Sequence, residues 1–218
     1  MSFGPFEAVV FDLDGVIVDS EPRHERAFLQ VFEEIGFGAD HGMDFSAYLG
    51  RSDRDLWEDF VARHRPSQPI DELLARKERT LIALLEAERP VYEGLPGLVR
   101  DLARRYPLAV ASGSRHAVIE AVLGLAGIRD AFDAVASVQD VGRAKPAPDV
   151  FLLAARKLGL PAERCCAIED TVAGIESARA AGLAVIAVPH TYPEAALTRA
   201  SRVVPDLAGI RRLLLPGD

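Results

Sequence analysis

Cysteine is nearly absent from this chain. Its 218 residues hold two, Cys165 and Cys166, side by side in a short apolar run. Neighbouring strand residues point to opposite faces, so a bridge between them would be strained. Two cysteines also give no disulfide framework and no zinc-ligand spacing, which leaves two buried free thiols in a reducing cytoplasm. An excess of positive charge is missing too: 25 Lys and Arg face 33 Asp and Glu, a formal net charge of −8. That argues against nucleic acid or an anionic membrane as a partner, since both select a basic surface. A small anion is still admissible, because a local cationic cluster with a metal can reverse the field in one cleft. Residues 1–7 have neither a basic region nor a long apolar stretch, so neither a signal peptide nor a membrane span is expected. Internal repeats and low-complexity segments are also lacking. The remainder, 49% hydrophobic and 27% charged, describes a soluble globule of one medium domain, or a core plus a small insertion.

What is present is a rhythm of short apolar runs: Ala8–Phe11, 108–111, Ala134–Ser137, 165–168 and 184–188. Helical stripes lie between the later ones, marked by Val118, Val122 and Leu125, then by Phe151, Ala154, Ala155 and Leu158. Uniformly apolar strands alternating with helices imply a parallel sheet covered on both faces. Ligands of such sheets bind beyond the carboxyl ends of the strands, where the strand order reverses. Residues 21–90 break the rhythm. They contain helical patterns and no convincing strand, with loop signals at 36–42 and 66–69, and they read as a helical insertion. Two polar residues fall on apolar stripes there. His24 lies three before Ala27, and Lys77 lies midway between Leu73 and Leu81. They are either a capping histidine and a lysine reaching out from the core edge, or groups directed over a cleft between insertion and sheet.

The strand ends carry the chemistry. Val9-Val10-Phe11-Asp12-Leu13-Asp14-Gly15 sets two carboxylates on one face as the first strand gives out. Like charges that close need a cation or a proton between them, so a magnesium site or an acid/base pair is indicated. Ser112-Gly113-Ser114-Arg115 follows the second run and suits a phosphate, with a hydroxyl and a helix N-terminus. Ser is equally a common helix cap. Lys145 follows the third run, before Pro146 and Pro148, which are expected to hold it on an extended, rigid segment. Glu169-Asp170-Thr171 ends the fourth run, and hard oxygen ligands from two strand ends fit magnesium.

Taken in order, acidic pair, hydroxyl, lysine and acidic pair resemble the four motifs of the haloacid dehalogenase superfamily of phosphohydrolases and phosphomutases. The matching stretches are Asp12-Leu13-Asp14-Gly15, Ser112-Gly113-Ser114, Lys145-Pro146 with Pro148-Asp149, and Glu169-Asp170-Thr171 with Gly174. The likeness covers nearly the whole chain. Asp19-Ser20-Glu21-Pro22 and His24 resemble the branch of β-phosphoglucomutase and the small sugar-phosphate phosphatases. The implied fold class is α/β: a Rossmann-like, doubly wound parallel sheet core (residues 1–20 and 91–218) with an inserted all-helical cap domain (residues 21–90).

The resemblance implies that Asp12 is the nucleophile and forms an aspartyl-phosphate, and that Asp14 is the general acid and base. Mg2+ is expected on Asp12, the Asp14 main-chain carbonyl, Asp170 and Glu169. Ser112 and Lys145 are expected on the phosphoryl oxygens, with Gly113, Ser114 and Arg115 beside them. In the cap, His24, Lys77, Arg51 and Arg54 are the candidate substrate contacts. Where the mutase loop carries a phosphate-gripping arginine, the ungapped match to Gly50-Arg51-Ser52-Asp53-Arg54-Asp55 places Asp53. A phosphatase acting on a small phosphorylated metabolite is the leading reading, and a sugar phosphomutase the alternative. A non-enzymatic binding module is the last rival. Asp14 argues against a metal-free dehalogenase, and residues 21–36 lack the Schiff-base lysine of the phosphonate hydrolases. A cytoplasmic monomer is expected, with hinges at Ser20, Glu21 and residues 90–94.

Overall fold

The structure is a computed structural model and describes residues 4–216; residues 1–3 of the segment read for a leader lie outside them. Six parallel strands form one sheet: β1 (Ala8–Phe11), β2 (Leu108–Ser112), β3 (Ala134–Ser137), β4 (Cys165–Glu169), β5 (Ala184–Ala187) and β6 (Arg202–Val203). Their order is β3-β2-β1-β4-β5-β6, the doubly wound arrangement, with the reversal at β1. Val10 pairs with Ala109 on one side and Ala167 on the other, so the ends of β1, β2 and β4 come level. The α/β expectation is met. Sequence patterning missed β6, a two-residue edge strand too short to show any period.

Strand alternation sorts the core into two layers. Val9, Phe11, Val110, Cys166, Ile168 and Ile186 face one way, onto α4 (Leu95–Ala103), α5 (His116–Ala126) and α8 (Leu207–Leu214). Ala8, Val10, Ala109, Ala111, Cys165, Ala167 and Val185 face the other, onto α6 (Asp149–Lys157) and α7 (Val172–Ala180). The second face is mostly alanine, which lets those helices sit close to the sheet. The two cysteines are free, buried and on opposite faces, as neighbours on a strand must be.

Between β1 and β2 come α1 (Glu21–Glu34), α2 (Asp53–His64) and α3 (Ile70–Glu88). They enclose a separate aromatic core of Phe28, Phe32, Trp57 and Phe60 with Val31, Leu56, Leu73 and Leu74. So small a cluster gains most from large rings, and Phe32 packs against both Trp57 and Phe60. The α3 helix serves two cores: Leu73 and Leu74 belong to this one, while Leu81 and Leu85 belong to the sheet's. Lys77 lies at the crossover and is fully buried. The chain enters and leaves the insertion through adjacent segments, with Val18 bridging Val91 and the Asp19 N–H donating to the Pro90 carbonyl at 2.9 Å.

Candidate active site

Four loops meet where the strands end. Asp12 follows β1 and is anchored by its own N–H, which donates to the Ile168 carbonyl at 2.9 Å. Gly15, at φ +77°, is required here: a Cβ would lie 1.9 Å from Asp170 Oδ2. The first and fourth motifs therefore touch only because that position has no side chain. From the loop after β3, Lys145 Nζ donates to Asp12 Oδ1 and to Glu169 Oε1, each at 2.7 Å. Its segment is a turn rather than extended, closed by the Ala147 N–H on the Ala144 carbonyl at 3.0 Å, with a cis Lys145–Pro146 bond. That backbone hydrogen bond folds back a segment whose two prolines suggest a straight run.

Glu169 is held on all sides. Its Oε2 accepts from the Asp170 N–H at 2.8 Å, the Thr171 N–H at 2.9 Å and the Thr171 hydroxyl at 3.0 Å. The same hydroxyl accepts from the Gly174 N–H at 3.0 Å and so caps α7. Asp170 is the opposite case. Both of its oxygens are buried and meet no hydrogen bond of good geometry, the Thr191 hydroxyl giving them a weak one that favours charge.

Asp12, Glu169 and Asp170 offer oxygens that all lie within 4.8 Å of one another. Burial pushes Asp12 up to about 8, Glu169 and Asp14 adding to the shift and Lys145 opposing it. Burial, with Glu169 and Asp12, also raises Asp170 far above the usual carboxylate range. One buried lysine is thus too little positive charge for three buried carboxylates. An Asp170 so weakly bonded and facing Asp12 is the donor set of a hard divalent cation, and the residues present fit one.

Asp14 is environmentally the reverse of Asp12. It accepts from the Ser20 hydroxyl at 2.6 Å and the Ser114 hydroxyl at 2.8 Å, and it lies 3.2 Å from His24 Nε2. Burial opposes its charge, but His24 and the two hydroxyls outweigh burial and hold Asp14 well below the usual range. Ser20 starts α1 without capping it, because its hydroxyl is given to Asp14 instead. Behind His24 the network continues. Lys77 Nζ is 2.6 Å from His24 Nδ1 and donates to Asp53 Oδ2 at 2.7 Å. Burial and Lys77 oppose charge on His24, while Asp14 and Asp53 favour it and push its pKa up to about 9. Only one proton fits between Nζ and Nδ1, which is why the Lys77 contact opposes charge on His24.

A cleft of about 290 Å³ opens over these groups, between the strand ends and the insertion. Asp12, Asp14, Lys145, Gly113, Ser114 and Thr171 line its floor, and His24, Arg51 and Asp53 are on the insertion side. Other expected residues stand back from it. Ser112 is fully buried, and its Oγ accepts from the Ser114 N–H at 2.9 Å. Ser114 is bonded to Asp14 as well as facing the cleft. Lys77 reaches the cleft only through Asp53 and His24. Arg54 pairs with Asp71 at 2.7 Å on the far side of α2. Arg115 pairs with Glu78 of α3 at 2.9 Å, tying the β2 turn to the insertion rather than lining the cleft. Sequence reading passed over Glu21, Glu25 and Asp53 as cleft residues. The two glutamates, four apart on α1, look like a solvated face. Asp53 did carry a signal, as the acid at a position where the mutase loop has an arginine.

Comparison with known proteins agrees with this geometry. A haloacid dehalogenase-like hydrolase family model matches residues 6–182. Fructose-1-phosphate phosphatase YqaB of Escherichia coli is 34% identical over 194 residues, covering 84% of this chain and 96% of that one. Hexitol phosphatase B of Escherichia coli is 37% identical over 193 residues, covering 86% and 85%. Among solved structures, CbbY from Rhodobacter sphaeroides in complex with xylulose-(1,5)bisphosphate superposes with a TM-score of 0.84 at 28% identity, over 94% of this chain and 96% of that one.

Proposed function

This chain belongs to the haloacid dehalogenase-like hydrolases, and from that premise we propose that it is a Mg2+-dependent phosphatase of small sugar or polyol phosphates, working through an aspartyl-phosphate. The observation that carries the reading is the pairing at the end of β1. Two carboxylates two residues apart are given opposite surroundings: Asp12 joins a buried acidic cluster with Lys145, and Asp14 sits among Ser20, Ser114 and His24. Environments that divide such a pair divide its labour: with a cation bound in the acidic cluster Asp12 would be held charged and nucleophilic, while Asp14, against His24, stands where a proton can be passed to and from it. The two E. coli relatives named as phosphatases support the substrate class.

Asp12 Oδ attacks phosphorus and the bond to the alkoxide oxygen breaks. Asp14 delivers the proton that this poor leaving group needs, with His24 against it as the adjoining proton source. Water then attacks the phosphorus of the aspartyl-phosphate, Asp14 takes its proton, and Asp12 is released with inorganic phosphate. Lys145 remains against the phosphoryl oxygens through both steps and costs no reorganisation, because Glu169 already fixes it. Gly113 and Ser114 line the same floor. Asp12, Asp170 and the Asp14 main-chain carbonyl would hold Mg2+, with Glu169 Oε1 adding charge. When bound, the ion offsets the repulsion between the carboxylates and an incoming phosphate. The insertion acts as a cap hinged at the paired segments around Val18 and Val91. One chain supplies every group of the site, which suits a monomer. No helix among the described residues is long and apolar enough to cross a membrane, and we place the enzyme in the cytoplasm with its metabolites.

Phosphate release from sugar and polyol monophosphates, with and without Mg2+ and with Asp12→Asn as control, tests the reading. We expect Mg2+-dependent release that is lost on chelation and in the folded variant. Residual turnover in pure Asp12→Asn overturns the nucleophile assignment. Isomerisation without phosphate release, given a bisphosphate primer, points to a mutase instead.

A further inference from the structure

The two ends of the cleft treat charge differently. At the strand ends, Lys145 and the metal-fitting cluster prepare for one phosphate. On the insertion side each cation already has an anion. Lys77 donates to Asp53 at 2.7 Å, Arg51 lies 3.4 Å from Asp55 and over the Tyr48 ring, and His24 lies against Asp14. The lining as a whole sets five acidic side chains against three basic ones, with Glu21 and Glu25 among the acids. Lys77 is fully buried, so the face it presents to the cleft is the Asp53 carboxylate.

We propose that Asp53 is a specificity-determining residue that restricts the enzyme to monophosphates whose distal end is uncharged and rich in hydroxyls. This rests on the phosphatase reading above and narrows it. A second phosphate at the insertion end would meet the Asp53 carboxylate with no unpaired cation to receive it, whereas sugar hydroxyls can donate to Asp53 and Glu21. The same network runs from Asp53 through His24 to Asp14, so a misplaced anion there also disturbs the acid/base residue.

The test compares kcat/KM for fructose 1-phosphate and fructose 1,6-bisphosphate, in the wild type and in Asp53→Asn. Asparagine keeps an acceptor for Lys77 and removes the charge. We expect the wild type to favour the monophosphate, and Asp53→Asn to narrow that preference by about tenfold, the scale of one partly screened charge at contact range. Equal use of both by the wild type overturns the proposal while leaving the phosphatase reading intact. So does an unchanged preference in Asp53→Asn. If neither compound releases phosphate, the phosphatase reading fails. The discrimination is then decided by calorimetric affinities of Asp12→Asn for the two compounds, where equal affinities refute it. The same titration, in wild-type Asp53 background, covers the case in which Asp53→Asn does not fold.

Discussion

Gly174→Ala tests how rigidly the site is built. Gly174 lies in the first turn of α7, and a Cβ there would sit 1.6 Å from Glu169 Oε1 and 2.0 Å from its Cδ. Neither atom can swing aside cheaply. Glu169 accepts from Lys145, from two backbone N–H groups and from the Thr171 hydroxyl, so displacing it breaks several bonds together. Hydrogen bonds to a charged group contribute about 1.5–3 kcal/mol each, and overpacking adds about 1–3 kcal/mol. Alanine in a helix returns about 1 kcal/mol, and partial relaxation recovers more. A net loss of about 3 kcal/mol is expected, which lowers Tm by roughly 10 °C for a chain of this size. Because Lys145 loses its second anchor, kcat falls along with stability. Gly124→Ala is the control: Gly124 lies within α5, exposed, and a Cβ there meets nothing within 4 Å. That change should raise stability by up to about 1 kcal/mol with kcat unchanged. Urea denaturation and steady-state phosphate release read both. A Gly174→Ala protein with wild-type stability and turnover would show that Glu169 has slack, and the argument for a preset Lys145 would fail.

Three further outcomes follow from single contacts. Asp140 accepts from His116 Nε2 at 2.8 Å, the Ser137 N–H at 3.1 Å and Lys157 Nζ at 3.1 Å. Burial opposes its charge, but these donors lower its pKa to about 2. The stability it contributes, about 1 kcal/mol once solvent screening of this exposed group is allowed for, is present above about pH 4 and is lost as the pH falls toward 2. Asp140→Asn should therefore cost stability at pH 7 and little at pH 2, and equal losses by urea denaturation at both would refute this. Lys77→Met leaves Asp53 without its buried counter-charge and should cost about 3 kcal/mol. Adding Asp53→Asn should recover part of that loss, and a second change that only adds to the first would contradict the pairing. For the contact between α3 and the β2 turn, a double-mutant cycle on Glu78→Gln and Arg115→Ala should give a coupling of about 1 kcal/mol. Zero coupling would remove that tie.

Much of the fold was legible because its strands are buried on both faces, and such strands announce themselves as short apolar runs. Ala8–Phe11 and Ala134–Ser137 have the bounds the pattern predicts, and β2 and β4 each extend by one residue, to Ser112 and Glu169. Those extra residues are polar, and a hydropathy reading stops before them although they still belong to the ladder. The candidate residues of the strand ends could be grouped from sequence because parallel-sheet topology delivers them to one edge. The insertion was less readable. Lys77 and His24 fall on apolar stripes whether they serve as core-edge groups or cleft groups, and only packing decides between the two. Arg54 and Arg115 were reasonable anion contacts by charge, but each has a nearer acid, Asp71 and Glu78, on a different element. Pairing of that kind depends on how α2, α3 and the β2 turn are packed, which no local pattern records.

The charge arrangement gives the architecture its logic. On the proposed function a net acidic chain brings an anion up to a carboxylate, and its uncompensated need is concentrated at one point. Lys145 is shared between two carboxylates, and the buried oxygens of Asp170 have only the neutral Thr191 hydroxyl to favour their charge, so the strand-end cluster still lacks a positive charge. On the insertion side of the cleft, cations are already matched: Arg51 with Asp55, His24 with Asp14, and Lys77 behind them with Asp53. On the proposed function a phosphate would be stabilised at the strand ends with the cation bound, and would gain little from any other part of the wall. Moving a charge between these two sets should alter which ligand enters before it alters the chemistry, since Asp12 and Asp14 belong to the loop after β1 while Asp53 and Arg51 come with the insertion.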